Sequence, residues 1–188
     1  KDRADALSQL ARNLKSEWVK AFRQIADMNE RRRHAISGGR LFEAFAGYLD
    51  GFDENLNEYY PGINALGLLS VIVELARLEP EAWAGNFEST REAEYQLGVY
   101  QDQLVELRGA VKTCFVMLQR KETRTGTKDE WLLPSLAQFR LLTTEKNPIF
   151  VRNAYRTARN ALGASFNVQS EKDQVRIWND LGLFPENC

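Results

Sequence analysis

The sequence predicts an all-α fold of about seven helices, arranged as antiparallel helical hairpins in one domain spanning residues 1–188. Three observations predict it. Apolar residues recur three or four apart through almost every stretch between breaks, the mark of helices with one buried face. The breaks are short and of the kinds that punctuate helices: Pro61-Gly62, Pro80 and Gly182, with Gly38-Gly39 weakening a helix start. No stretch alternates apolar and polar residues with period two between turn signals, so no sheet is expected. A chain of 188 residues buries roughly 70% of its unfolded surface, and a second domain is not required.

Taken in order, Leu7, Leu10, Leu14, Trp18, Ala21 or Phe22, and Ile25 form the apolar face of a first helix, with Arg12, Lys15, Glu17, Lys20 and Arg23 on its polar sides. A polar break over 27–33 precedes a second helix, starting near Arg32 or Gly39 and carried by Leu41, Phe42, Phe45, Tyr48, Leu49 and Phe52. Pro61 fits a first helical turn, where its missing N–H is not needed, so a third helix opens there and runs to Leu78. It is apolar on most sides and is expected at the centre. Trp83 and Phe87 suggest a short helical turn between Glu79 and Ser89. A long helix follows from Thr90 to Arg120, and the apolar-free run Lys121 to Lys128 reads as the best exposed loop. Asp129 is the expected N-cap of a helix ending at Leu142 that buries Trp131, Leu132, Leu136 and Phe139. Another helix covers Pro148 to Leu162. The last starts at Ser170, where Ser170 and Asp173 approximate a capping box, and ends at Gly182.

Composition excludes several classes of function. Lys+Arg 25 against Asp+Glu 26 leaves a net charge of -1, without the positive excess that drives non-specific nucleic-acid or anionic-membrane binding. Arg31-Arg32-Arg33-His34, the one dense basic run, lacks interleaved aromatics and reads as a solvated helix start. Cys114 and Cys188 are far apart, so neither a disulfide framework nor a zinc site is expected. The lone His34 follows three arginines and makes a poor general base. Glu92 and Glu94, two apart on a helix, point to different faces. No catalytic residue, cofactor or metal is predicted. The N-terminus has no apolar signal core and no uninterrupted apolar run reaches about 18 residues, so the expected setting is cytoplasmic and away from membranes. The first residue is not Met and opens inside a helical pattern, which suggests a piece of a longer polypeptide.

Helical pairs with short connections invite a test for repeats near 34 residues. Trp131 leads one helix of the last hairpin, while Val151, Ala154, Tyr155 and Ala158 alternate small and aromatic residues on the next, as a tetratricopeptide hairpin does. Leu66-Gly67 echoes the Leu-Gly pair of that repeat's first helix. Spacings are irregular, so the expectation is a degenerate tetratricopeptide-like array.

The order of features also resembles the TRAFs-binding domain of apoptosis signal-regulating kinases and of many bacterial tetratricopeptide-type proteins. Leu10 to Trp18 is similar to that family's Gly-Arg-x-x-Lys-Asp-x-Trp segment, with Ala11 where the family has Gly. Tyr59-Tyr60-Pro61-Gly62-Ile63-Asn64-Ala65-Leu66 is similar to its Tyr-Tyr-Pro-Gly-Ile-Asn-Ala motif, and Asp129-Glu130-Trp131 and Leu181-Gly182-Leu183 keep the order. The resemblance implies a helical regulatory or scaffolding module with a protein or peptide partner, or the rest of its own polypeptide.

Candidate partner-binding residues are Asn64, a polar side chain in the first turn of a very apolar helix, with Tyr60 beside it, and Arg40; the plainer reading of Asn64 is a cap or hydrogen bond to a neighbouring helix end. Arg12 and Lys15, three apart on the first helix, suit a carboxylate. An alternative reading is a sensor of a small anionic ligand such as a nucleotide, with Arg12, Lys15, Arg40 and Tyr60 converging on one pocket and relaying occupancy to an attached effector.

Overall fold

A computed structural model describes residues 2–144, 147–162 and 165–185, the side chains of 2, 162 and 165–171 excepted. Among these residues there are nine helices and no strand: α1 (Asp2–Arg23), α2 (Met28–Ser37), α3 (Gly39–Glu54), α4 (Tyr59–Leu78), α5 (Pro80–Ala84), α6 (Thr90–Thr125), α7 (Leu132–Thr143), α8 (Pro148–Leu162) and α9 (Ser165–Asp180). The all-α expectation holds, with two more helices than expected. One comes from the second expected helix, which is two. Asp27 caps α2, its Oδ1 accepting from the Glu30 N–H at 2.9 Å, and Gly38 in extended conformation separates α2 from α3. The other is α5, where the expected turn is a short helix opened by Pro80.

The long helices pair without regard to the short ones between them. α1 packs most extensively on α3, α3 on α4, α4 on α6, and α7 on α8, while α2 and α5 pack on each other across the linkers. The α1–α3 approach is close because small residues face each other. A Cβ on Gly47 would lie 3.1 Å from the Ala11 Cβ, and one on Gly51 3.0 Å from the Ser8 Oγ. That contact sets the rotation of α1: Ala4, Ala11, Trp18 and Phe22 turn inward, whereas Leu10, expected in the apolar face, is 58% exposed.

α4 is the central helix, buried on all sides over most of its length. By length and composition alone it would cross a membrane, yet its neighbours cover it. Pro61 sits in its first turn as expected, so no backbone donor is lost. Rings close both ends of the core. Trp83 packs against Phe87, Phe42 and Tyr100 at one end, with its indole N–H bonded to the Ala93 carbonyl at 3.0 Å, and Phe115 lies between Tyr59 and Phe139 at the other.

α6 continues five residues into the run expected as an exposed loop. Lys, Glu and Arg propagate a helix well, and the Thr123 and Thr125 hydroxyls donate to carbonyls one turn back at 2.9 Å. It stops at Gly126, whose φ of 72° lies in the left-handed region. Asp129 is not the α7 N-cap, which is Trp131, itself 37% exposed rather than buried. One Asp129 oxygen accepts the Trp131 N–H in a local turn, and the other accepts the Tyr59 hydroxyl at 2.9 Å, tying the α6–α7 linker to α4.

α9 begins at Ser165, five residues ahead of the expected start. The expected cap at Ser170 falls outside the described side chains, as does Cys188. The helix ends in a Schellman turn: Gly182 has φ 60°, its N–H bonds to the Asn179 carbonyl, and the Leu183 N–H bonds to the Trp178 carbonyl at 2.9 Å. Here the basic run finds a structural role, contrary to the solvated helix start expected for it. Arg31 donates to the Asp180 carbonyl at 2.7 Å, Arg32 to those of Leu181 at 2.7 Å and Gly182 at 3.1 Å, and Arg23 pairs with the Asp180 carboxylate at 2.6 Å. Cations at a helix C-terminus meet its unsatisfied carbonyls and the negative end of its dipole.

Candidate functional site: a buried lysine between three helices

The small inward face of α1 carries one long polar residue with it. Lys15, expected on the polar side, is only 9% exposed, because it follows Ala4, Ser8 and Ala11 on the face turned toward α3 and α4. Its ammonium donates to Asn64 Oδ1 at 2.8 Å and to Gln174 Oε1 at 2.6 Å, and stands 5.9 Å from the centroid of the Tyr48 ring. The cation therefore joins α1, α4 and α9 and lies within reach of an aromatic ring on α3.

Asn64 is 8% exposed and used at both ends, since its amide N–H donates to the Tyr60 carbonyl at 2.9 Å. That bond bridges one turn of the same helix, the arrangement expected of a buried amide. Next to it the Gln138 amide of α7 approaches the Ile63 carbonyl at 3.4 Å.

Tyr60 is the open end of the cluster. Its ring is 45% exposed and meets the buried Tyr48 ring edge-on at 6.1 Å. The Tyr48 hydroxyl is held well above the usual tyrosine range by burial first and then by Tyr60, and Arg12 lies near enough to oppose that rise. Arg12 is itself exposed. Four of the five candidate residues thus gather around Tyr48, two of them buried (Lys15 and Asn64) and two reaching solvent (Arg12 and Tyr60).

Arg40, the fifth, does not join them. Its Nη1 lies 2.8 Å from Glu17 Oε2, and Glu17, two residues beyond Lys15, points to another side of α1. Gln174, Gln138 and Tyr48 were missed by the sequence reading: Tyr48 passes as an apolar core residue, and the two amides sit 36 residues apart on helices that only the fold brings to α4. A polar Gln138 inside the apolar run 132–142 was the one available signal.

An open depression of about 470 Å3 lies at the edge of α1 and α3, lined by Arg3, Leu7, Asp50, Asp53 and Glu54. It is acidic: Arg3 pairs with Glu54 at 3.2 Å, and partial burial together with the Asp50 charge raises the Asp53 carboxyl above its usual range. An anionic ligand would be repelled there. Among the described residues no group of three His, Cys, Asp or Glu could hold a metal ion.

Cys114 faces the core on α6, and its thiol is pushed up to about 11 by burial and then by the Glu58 charge. Burial likewise raises the hydroxyls of Tyr48, Tyr59 and Tyr100. These acids keep their protons more tightly folded than unfolded, so stability falls as pH rises from about 9 through about 11. The urea midpoint is expected to be level between pH 7 and 8.5 and to drop above that, with a shallower drop in Cys114→Ala. A midpoint that rises over this window would contradict the burial of these groups.

No protein-family model, curated protein or solved structure matches the chain.

Proposed function

We propose that this chain is a non-enzymatic protein-interaction module, scaffolding or regulatory in role and tetratricopeptide-like in type, akin to the TRAFs-binding domain and belonging to a cytoplasmic protein. It holds another polypeptide, or the remainder of its own, with Tyr60 and Arg12 as the contact residues and Lys15 and Asn64 as buried supports. The observation that carries the reading is this clustering: an exposed ring and an exposed guanidinium lie near the buried Tyr48, which also neighbours a cation held by two amide oxygens. Aromatic and Arg side chains beside each other are the residue types that anchor peptides, and here their supports are buried and hydrogen-bonded. The helix pairing supports the repeat interpretation. α1 with α3, α4 with α6 and α7 with α8 make three pairs, the first two with a short helix in the linker.

A displayed peptide library tests it. The expected result is enrichment of peptides combining acidic and apolar residues, with binding reduced at least tenfold by Arg12→Glu and by Tyr60→Ala. Enrichment of nothing, or of peptides indifferent to both substitutions, would sink the proposal.

The sensor reading keeps one favourable observation, that two cations, Arg12 and Lys15, act on the same tyrosine. Arg40, paired to Glu17, is outside it. A nucleotide panel at about 100 times the dissociation constant would stabilise the fold by about 2.7 kcal/mol if that reading held.

A further inference from the structure

α9 differs from the other long helices in how it is held. Among the described residues its backbone approaches α1, α2 and α4 sparsely, and side chains span the gap. Among its described side chains and the turn that follows, the buried apolar ones are Ile177, Trp178, Leu181 and Leu183. Around them are polar fasteners contributed by other helices: Lys15 to Gln174, Arg23 to Asp180, and Arg31 and Arg32 to the terminal carbonyls.

The seat beneath is built without α9. The indole of Trp178 lies over Gly67, where a Cβ would stand 3.7 Å from its ring, so it packs on the bare backbone of α4. Trp18 donates to the Ala35 carbonyl at 2.9 Å, joining α1 to α2, and Lys15 keeps its bond to Asn64. Two arginines that receive the terminal carbonyls and a third that pairs with the Asp180 carboxylate, beside the bare Gly67 backbone under an indole, are complementary to a helix terminus.

We propose that α9 is an intramolecular occupant of a helix-accepting trough on α1, α2 and α4, that it leaves as a unit before the rest of the fold opens, and that the trough then takes an amphipathic helix of another polypeptide with the same anchors. That helix carries Gln one turn ahead of Trp, Asp two residues after it, and a Leu-Gly-Leu end. The proposal extends the interaction reading to a second surface and rests on α9 contacts rather than on Tyr60 or Arg12, so either can fail alone.

The test uses the full chain, its Trp178→Ala variant, which weakens α9 and leaves the trough's own arginines in place, and a labelled peptide of residues 165–185 with the unaltered sequence. Hydrogen exchange is expected to quicken at least tenfold at the α9 amides of the variant while α4 amides are unchanged. The peptide is expected to bind the variant at least tenfold more tightly than the wild-type chain, and its Trp178→Ala form to bind neither. If that variant does not fold, Asp180→Asn, which weakens only the Arg23 fastener, serves for the same comparison. Exchange that quickens in α9 and α4 together or in neither, peptide binding equal in wild type and variant, or an opened α9 with no peptide binding would each overturn the proposal.

Discussion

Phe52→Ala is expected to lower the unfolding free energy by about 3–5 kcal/mol and to reverse the sign of a second substitution, Gly62→Ala. Phe52 is fully buried at the end of α3, and its ring lies flat on Gly62 in the first turns of α4. A Cβ built on Gly62 would stand 2.8 Å from Phe52 Cε2 and 2.9 Å from Cδ2, closer than carbons approach. In the wild-type chain Gly62→Ala therefore overpacks a closed core, a destabilisation of about 1–3 kcal/mol. The helix preference for Ala over Gly offsets at most about 1 kcal/mol of this. Once Phe52 is Ala, the clash is gone and the new methyl enters the cavity, so the same substitution becomes stabilising. Urea denaturation of the four chains measures the coupling. Gly62→Ala that stabilises the wild-type chain would show that the ring does not lie on this glycine.

The second large effect is expected at Lys15. Lys15→Met keeps the length and apolar stem of the side chain but withdraws the donor shared by Asn64 and Gln174, and buried acceptors left without a donor cost about 1–3 kcal/mol. Asn64→Ala removes an acceptor from a buried ammonium, a loss of about 1.5–3 kcal/mol for a hydrogen bond to a charged group. Because both changes break the same bond at 2.8 Å, the double variant should lose less than the sum, with a coupling of about 0.5–3 kcal/mol. Strict additivity in denaturant midpoints would mean that Lys15 and Asn64 do not act as a unit. Arg40→Ala, which breaks only an exposed pair with Glu17, is the control and should change stability by under about 1 kcal/mol.

These two sites differ in how far local sequence announces them. Tyr59 to Leu66 could be read as a helix start from Pro61 and from the apolar run behind it, and Asn64 stood out as a polar residue among apolar ones. Nothing near Lys15 marks it as buried. Seen along the chain it belongs to a series of charges, Arg12, Glu17, Lys20 and Arg23, on what looks like a solvated face. It turns inward because Ala11 and Ser8 meet Gly47 and Gly51 some 40 residues later, and that contact rotates α1 until Leu10 faces water. The basic run behaves the same way: Arg31 and Arg32 are fastened to carbonyls 149 and 150 residues further on.

Sequence alone determined the helical class, the helix start marked by Pro61, the stops at Pro80 and Gly182, the central position of the helix that carries Pro61, and the interest of Asn64 and Tyr60. Those follow from backbone preferences and apolar spacing, which act within a few residues. Tertiary contacts decided which face of α1 is covered, that Gln174 and Gln138 reach α4, that Asp129 holds Tyr59 instead of capping α7, and that Arg40 pairs with Glu17 away from the other four. Periodicity tells that a helix has a covered side. Which polar residue ends up on that side depends on the size and donors of a partner far away in the chain, and local spacing carries no information about either.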